Sequence, residues 1–144
     1  MSSADILAAI PHRPPFLLID EIVSHVDSTI TCRKTFAADE WFFQGHYPGF
    51  PIVPGVLLCE ACMQAGAVLL SKIVDFAAGM PVATRANDVK FKRMIRPGDV
   101  VQIEVKLNER LADAFFMTGK VTCDGKLACR LDFAVAITPK ENAQ

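Results

Sequence analysis

The run Val56–Leu70, VLLCEACMQAGAVLL, restricts the fold more than any other feature of the chain. Read as a helix from about Gly55 to Val74, it is apolar on nearly every face, with Glu60 and Gln64 as its polar interruptions. Pro54 and Gly55 are compatible with its start, and the glycine and proline of DFAAGMP end it. A surface helix keeps one polar face for water; this one has none, so the rest of the chain must wrap it. The run is short for a membrane span and contains a carboxylate. It therefore reads as the centre of a soluble, cytoplasmic protein rather than a membrane anchor.

The flanking sequence supplies the wrapping. SSADILAAI gives a short helix of about two turns before Pro11, and PHRPPF is an extended, proline-fixed segment. From Leu17 to about Phe36, LLIDEIVSHVD and STITCRKTF read as two strands joined near Asp27-Ser28, and ADEWFFQ as a helical turn. The second half reads as β: ATRANDVKFKRMI, a PGD turn, VVQIEVKLNER, AFFMTGKVTCD, a tight turn at Gly125 and KLACRLDFAVAI. Long strands joined by short turns imply an antiparallel sheet. Five or six of them around one long helix predict an α+β fold, a curved sheet wrapped about the helix, in a single domain over residues 1–144.

Composition narrows the function. Of 144 residues, 51% are hydrophobic and 22% charged, which fits a globular core and not a disordered chain. The net charge of −1 lacks the global electrostatics of a nucleic-acid binder, and the N-terminus does not read as a secretory signal. Cysteines 32, 59, 62, 123 and 129 are odd in number and scattered. Cys59-Glu-Ala-Cys62 has neither a second such pair nor a histidine pair, so these thiols read as small core residues, with no metal site implied. No P-loop, dinucleotide fingerprint or Ser-His-Asp arrangement is present.

The segment Gly45–Gly55, GHYPGFPIVPG, holds three prolines and three glycines around His46. The prolines stiffen the backbone, while Gly45 and Gly49 permit unusual dihedrals or close approach. An isolated loop histidine is otherwise an ordinary surface or hydrogen-bonding residue. Glu60, alone in an apolar helix, must find a partner, face an interface or take up a proton. Gln64 shares its face one turn on and is placed either to hold it or simply to pack. At the helix start the first amides, of Gly55 and Val56, lack intrahelical acceptors.

These residues fall in four blocks: IPHRPPFLLIDEI, GHYPGFPIVPGVLLCEACMQAGAVL, VKFKRMIRPGD and DGKLA. In that order and spacing they resemble the FabZ-type 3-hydroxyacyl-[acyl-carrier-protein] dehydratases, which have the hot-dog fold. The resemblance implies dehydration of (3R)-hydroxyacyl carrier thioesters to trans-2-enoyl thioesters during fatty-acid elongation, without a metal or redox cofactor. It maps the base onto His46 and the acid, or leaving-group orienter, onto Glu60; the FabA type usually carries Asp at the second position. It gives the Gly55 amide, with Val56 beside it, the thioester carbonyl as enolate charge develops. A buried glutamic acid kept protonated suits the acid role.

The resemblance also implies that base and acid of one site come from different subunits, hence a homodimer, and in some members a trimer of dimers. The acyl chain would lie in an apolar tunnel, for which Phe16, Leu17, Val53 and Phe91 are wall candidates, each equally a core candidate. Arg85, Lys90, Lys92, Arg93 and Arg96 form the expected basic face, able to steer an acidic carrier protein or simply to be solvated. Cys59, Cys62 and the ATRAND stretch depart from the family pattern. Two rival functions share this outline: a hot-dog thioesterase in which Glu60 activates water, and a non-catalytic acyl- or carrier-binding homologue.

Overall fold

A computed structural model describes residues 3–77 and 79–139. Its elements are α1 (Ser3–Ala9), β1 (Glu21–Val26), β2 (Thr29–Thr35), a 3-10 turn (Trp41–Gln44), α2 (Gly55–Ser71), β3 (Gly79–Phe91), β4 (Val100–Leu111), β5 (Ala114–Cys123) and β6 (Lys126–Pro139). Ser2, in the expected first helix, and Ala78, in the expected break after α2, lie outside the described residues. So do the two ends of the expected 1–144 domain.

The six strands form one antiparallel sheet in the order β1-β2-β4-β5-β6-β3. The sheet curves around α2, whose Leu58, Ala61, Cys62 and every residue from Gln64 to Leu70 are buried. This is the hot-dog architecture. Leu69 and Leu70 are fully enclosed, each contributing about 2 kcal/mol of apolar burial. Small residues let sheet and helix meet closely. A Cβ built on Gly119 of β5 would lie 2.8 Å from Cys62 Cβ and 2.9 Å from its Sγ, so a hydrogen there lets β5 press onto α2.

Two boundaries differ from the sequence expectation, for local reasons. α2 ends at Ser71 and not Val74, because its last turn tightens: Lys72 N–H donates to Leu69 O and Ile73 N–H to Leu70 O, spacings of three residues. β3 begins earlier, at Gly79, and stops at Phe91 although strand-like residues continue to Ile95. Lys92 N–H still reaches Ala128 O at 2.7 Å, but the chain then leaves β6, and Ile95 O accepts from Val53 N–H at 2.7 Å. The residues after β3 thus brace the proline-rich loop that precedes α2.

The extended segment before β1 is anchored along its length. Arg13 caps the end of α1, its guanidinium donating to Ile10 O at 2.8 Å and Leu7 O at 3.0 Å. Trp41 Nε1–H donates to Pro15 O at 3.0 Å. Lys34, almost wholly buried, pairs with Glu40 at 2.7 Å just ahead of the 3-10 turn that leads to His46. At the far side of the sheet β3 has β6 as its single neighbour among the described residues, leaving one edge open there, and Val82, Val89 and Phe91 on it are exposed.

Candidate active site

The proline-rich loop fixes His46 and its tautomer. Phe50 N–H closes a turn onto Tyr47 O at 2.7 Å, and Ile95 O clamps Val53 from outside. His46 Nδ1 lies 2.9 Å from Ile52 O. A carbonyl oxygen only accepts, so Nδ1 carries the proton, and in the neutral ring Nε2 is left with a free lone pair. The ring stands edge-on to Tyr47 with centroids 4.8 Å apart.

His46 opens on a cleft of about 340 Å³ that also receives Val53, Gly55, Val56, Phe91 and Arg93. The cleft ends at the start of α2. Gly55 and Val56 offer N–H groups there with no acceptor among the described residues, since Pro54 provides no side-chain cap. Phe91 lies directly on Gly55: a Cβ at that position would be 2.7 Å from the ring's Cε1. A side chain at 55 would therefore force this ring to shift.

Glu60 opens elsewhere, into a narrow cleft of about 120 Å³ lined by His12, Met63, Ala67, Pro81, Ala83 and Val135. Its side chain is 26% exposed, so it borders a cleft and is not sealed in the apolar core. Gln64, 1% exposed, donates from Nε2 to Glu60 Oε2 at 3.0 Å and to Phe16 O at 2.9 Å, and accepts from Leu18 N–H at 2.8 Å. His12 Nε2 stands 3.8 Å from the same Glu60 oxygen. Within one protomer no described cleft is lined by both His46 and Glu60.

The other expected site residues divide. Val53 and Phe91 line the His46 cleft; Phe16 is exposed and meets the Glu60 cluster through its carbonyl, and Leu17 packs against the core. Of the basic residues, Arg93 reaches the His46 cleft and Arg96 stacks 4.4 Å over the Phe50 ring. Lys92 is exposed nearby. Arg85 and Lys90 lie apart on β3, one over Phe116 at 5.8 Å and the other 3.8 Å from Asp88, which also holds Arg130. His12 was not among the residues expected at the site. Its signal in the sequence is a histidine held between prolines, the same device that frames His46.

All five cysteines are free thiols. Burial pushes Cys32 up to about 12 and raises Cys62 as well. Cys59, next to Glu60 in the chain, shares a hydrogen bond with Cys129 that lowers the Cys59 thiol and raises its partner.

A helix wrapped by six antiparallel strands, with His46 and the start of that helix sharing one cleft, has the architecture of a hot-dog domain. The FabA-like domain family matches residues 10–132, and the chain belongs to that family and is of its FabZ type. The 3-hydroxyacyl-[acyl-carrier-protein] dehydratase FabZ of Clostridium perfringens is 36% identical over 137 residues, 95% of this chain and 99% of that protein. The FabZ proteins of Oenococcus oeni (38%, 95% and 99% covered) and Lactococcus lactis subsp. cremoris (40%, 91% and 92% covered) are similarly related. Among solved structures, the dehydratase heterocomplex ApeI:P from Xenorhabdus doucetiae has a TM-score of 0.80 at 17% identity, covering 94% of this chain and 92% of that one. A mutant thioesterase from Pseudomonas aeruginosa has a TM-score of 0.74 at 17% identity, with 94% and 93% covered. At these identities the two structures share the fold.

Proposed function

We propose that this chain is a single-domain, cytoplasmic enzyme of fatty-acid biosynthesis that dehydrates (3R)-hydroxyacyl-[acyl-carrier-protein] to the trans-2-enoyl thioester. The observation that carries the reading is the His46 Nδ1 bond to Ile52 O, which leaves the Nε2 lone pair available on a residue lining the cleft that ends at Gly55 and Val56. Nε2 takes the C2 proton, and the electron pair moves toward the thioester carbonyl. The developing oxyanion is met by the amides at the start of α2. Glu60 gives a proton to the C3 hydroxyl, the C3–O bond breaks, C2=C3 forms and water leaves.

The base and acid act together only if a second copy supplies one of them. Two observations support that arrangement: the separate clefts of His46 and Glu60, and the open, thirteen-residue β3 edge with Val82, Val89 and Phe91 exposed. A long unpaired edge is a template for another strand, so two β3 edges would join the sheets of a homodimer. Arg93 at the His46 cleft, with the exposed Lys92 and Arg96 close to it in sequence, would draw in an acidic carrier protein.

Incubation with 3-hydroxybutyryl-carrier protein tests the reading. Enoyl absorbance should appear without release of free thiol; thiol release without enoyl product would make the protein a thioesterase.

A further inference from the structure

Beside Glu60 lies a second imidazole that the chemistry above leaves unused. His12 comes from the segment between α1 and β1, and its ring enters the small Glu60 cleft. Its Nε2 is 3.8 Å from Glu60 Oε2, too long for a direct hydrogen bond but within ion-pair range. Its Nδ1 is buried and has no hydrogen-bond partner among the described residues. A buried ring nitrogen normally has a hydrogen-bond partner. The cleft walls around His12 are otherwise apolar: Met63 and Ala67 from α2, Pro81 and Ala83 from β3, and Val135 from β6.

We propose that His12 is a positioning residue for the acid, holding the Glu60 carboxyl and steadying the carboxylate left once its proton has gone. The inference rests on the dehydratase reading. Gln64 Nε2 and His12 Nε2 both face Oε2, so Oε1 is the oxygen free to carry the proton toward the substrate. In the reaction the C2 proton moves to His46, the Glu60 Oε1 proton joins the departing hydroxyl as water, and the new charges are an imidazolium and a carboxylate. An N–H donor or positive charge at His12 favours that carboxylate.

The charge environment is simple. β3 and β6 present no titratable group to the cleft, and Cys59 on α2 is bonded toward Cys129. Arg13 is turned toward the carbonyls at the end of α1. The partner's His46 joins the set in the proposed dimer.

The test compares wild type, His12→Ala and His12→Gln as full-length proteins, measuring enoyl formation from 3-hydroxybutyryl-carrier protein between pH 5 and 9. For His12→Ala, kcat should fall about 10- to 100-fold with KM within about twofold, a loss confined to the chemical step. His12→Gln, which keeps an N–H donor, should recover part of the kcat lost in His12→Ala while KM stays unmoved. If His12→Ala does not fold, a lowered kcat with unchanged KM in His12→Gln carries the proposal. Wild-type kcat in a folded His12→Ala, or a loss carried by KM instead of kcat, overturns it. An inactive wild type would instead sink the dehydratase reading, so the two failures are distinct.

Discussion

Gln64 joins Glu60 to the segment that leads into β1: its Nε2 donates to Glu60 Oε2 at 3.0 Å while its Oε1 accepts from Leu18 N–H at 2.8 Å. One buried amide thereby orders the carboxylate and satisfies the backbone leading into β1. Gln64→Leu fits the space but leaves Leu18 N–H and Phe16 O unpaired. Stability should fall by about 2 kcal/mol in denaturant unfolding, since buried polar groups lose their partners. Because Glu60 loses a holder as well, kcat should fall about tenfold. An unchanged midpoint and kcat would remove the amide from both roles.

Gly55 and Phe91 make the second coupled pair. A methyl group at position 55 would meet the Phe91 ring at 2.7 Å, and that ring, 53% exposed, is free to swing aside. Gly55→Ala should therefore fold with a stability change below about 1 kcal/mol, while the displaced ring enters the His46 cleft. We expect kcat/KM to fall about tenfold, with less than additive loss when Phe91→Ala is added. Strict additivity in the double-mutant cycle would show that the two residues act separately.

Gly119 and Cys62 meet in the closed core, where no exposed ring can yield. Gly119→Ala places its methyl 2.8 Å from Cys62 Cβ and should cost about 1–3 kcal/mol of stability. Combining it with Cys62→Ala removes the sulfur but leaves the Cβ contact, so rescue should be partial. Thermal and chemical unfolding of the four proteins in the cycle measures it.

The thiols should separate by reactivity. Cys59 is half-buried and lowered by its bond to Cys129, whereas burial raises Cys32 and Cys62. The thiolate is the nucleophile, so brief iodoacetamide treatment at about pH 8 should label Cys59 first. Peptide mapping that found Cys32 or Cys62 labelled ahead of it would contradict the order.

Much of this was legible because it depends on local pattern. VLLCEACMQAGAVLL lacks a polar face, so a wrapped helix follows from sequence, and the i, i+4 spacing puts Gln64 beneath Glu60. What was not legible depends on contacts distant in sequence. Nothing in KFKRMI shows that its strand stops at Phe91; that follows from Ile95 O bonding Val53 N–H across the fold. The His46 tautomer rests on Ile52 O, a backbone group that any residue at 52 would supply. Glu60 reads as needing a partner, an interface or a proton, and the structure gives it Gln64 and a cleft that β3 lines with Pro81 and Ala83. His12 looks like one more residue in a proline-fixed segment until α2 brings Glu60 beside it.

The central claim is that dehydration uses His46 of one subunit and Glu60 of another. His46→Ala and Glu60→Gln, assayed alone, should each lower kcat by about 10²- to 10⁴-fold. The direct measurement is to mix the two variants, let subunits exchange, and assay enoyl formation on purified heterodimers. A shared site leaves one of two centres intact in each heterodimer, so activity should return to roughly half that of wild type. Verified heterodimers that stay as inactive as either parent would contradict the account.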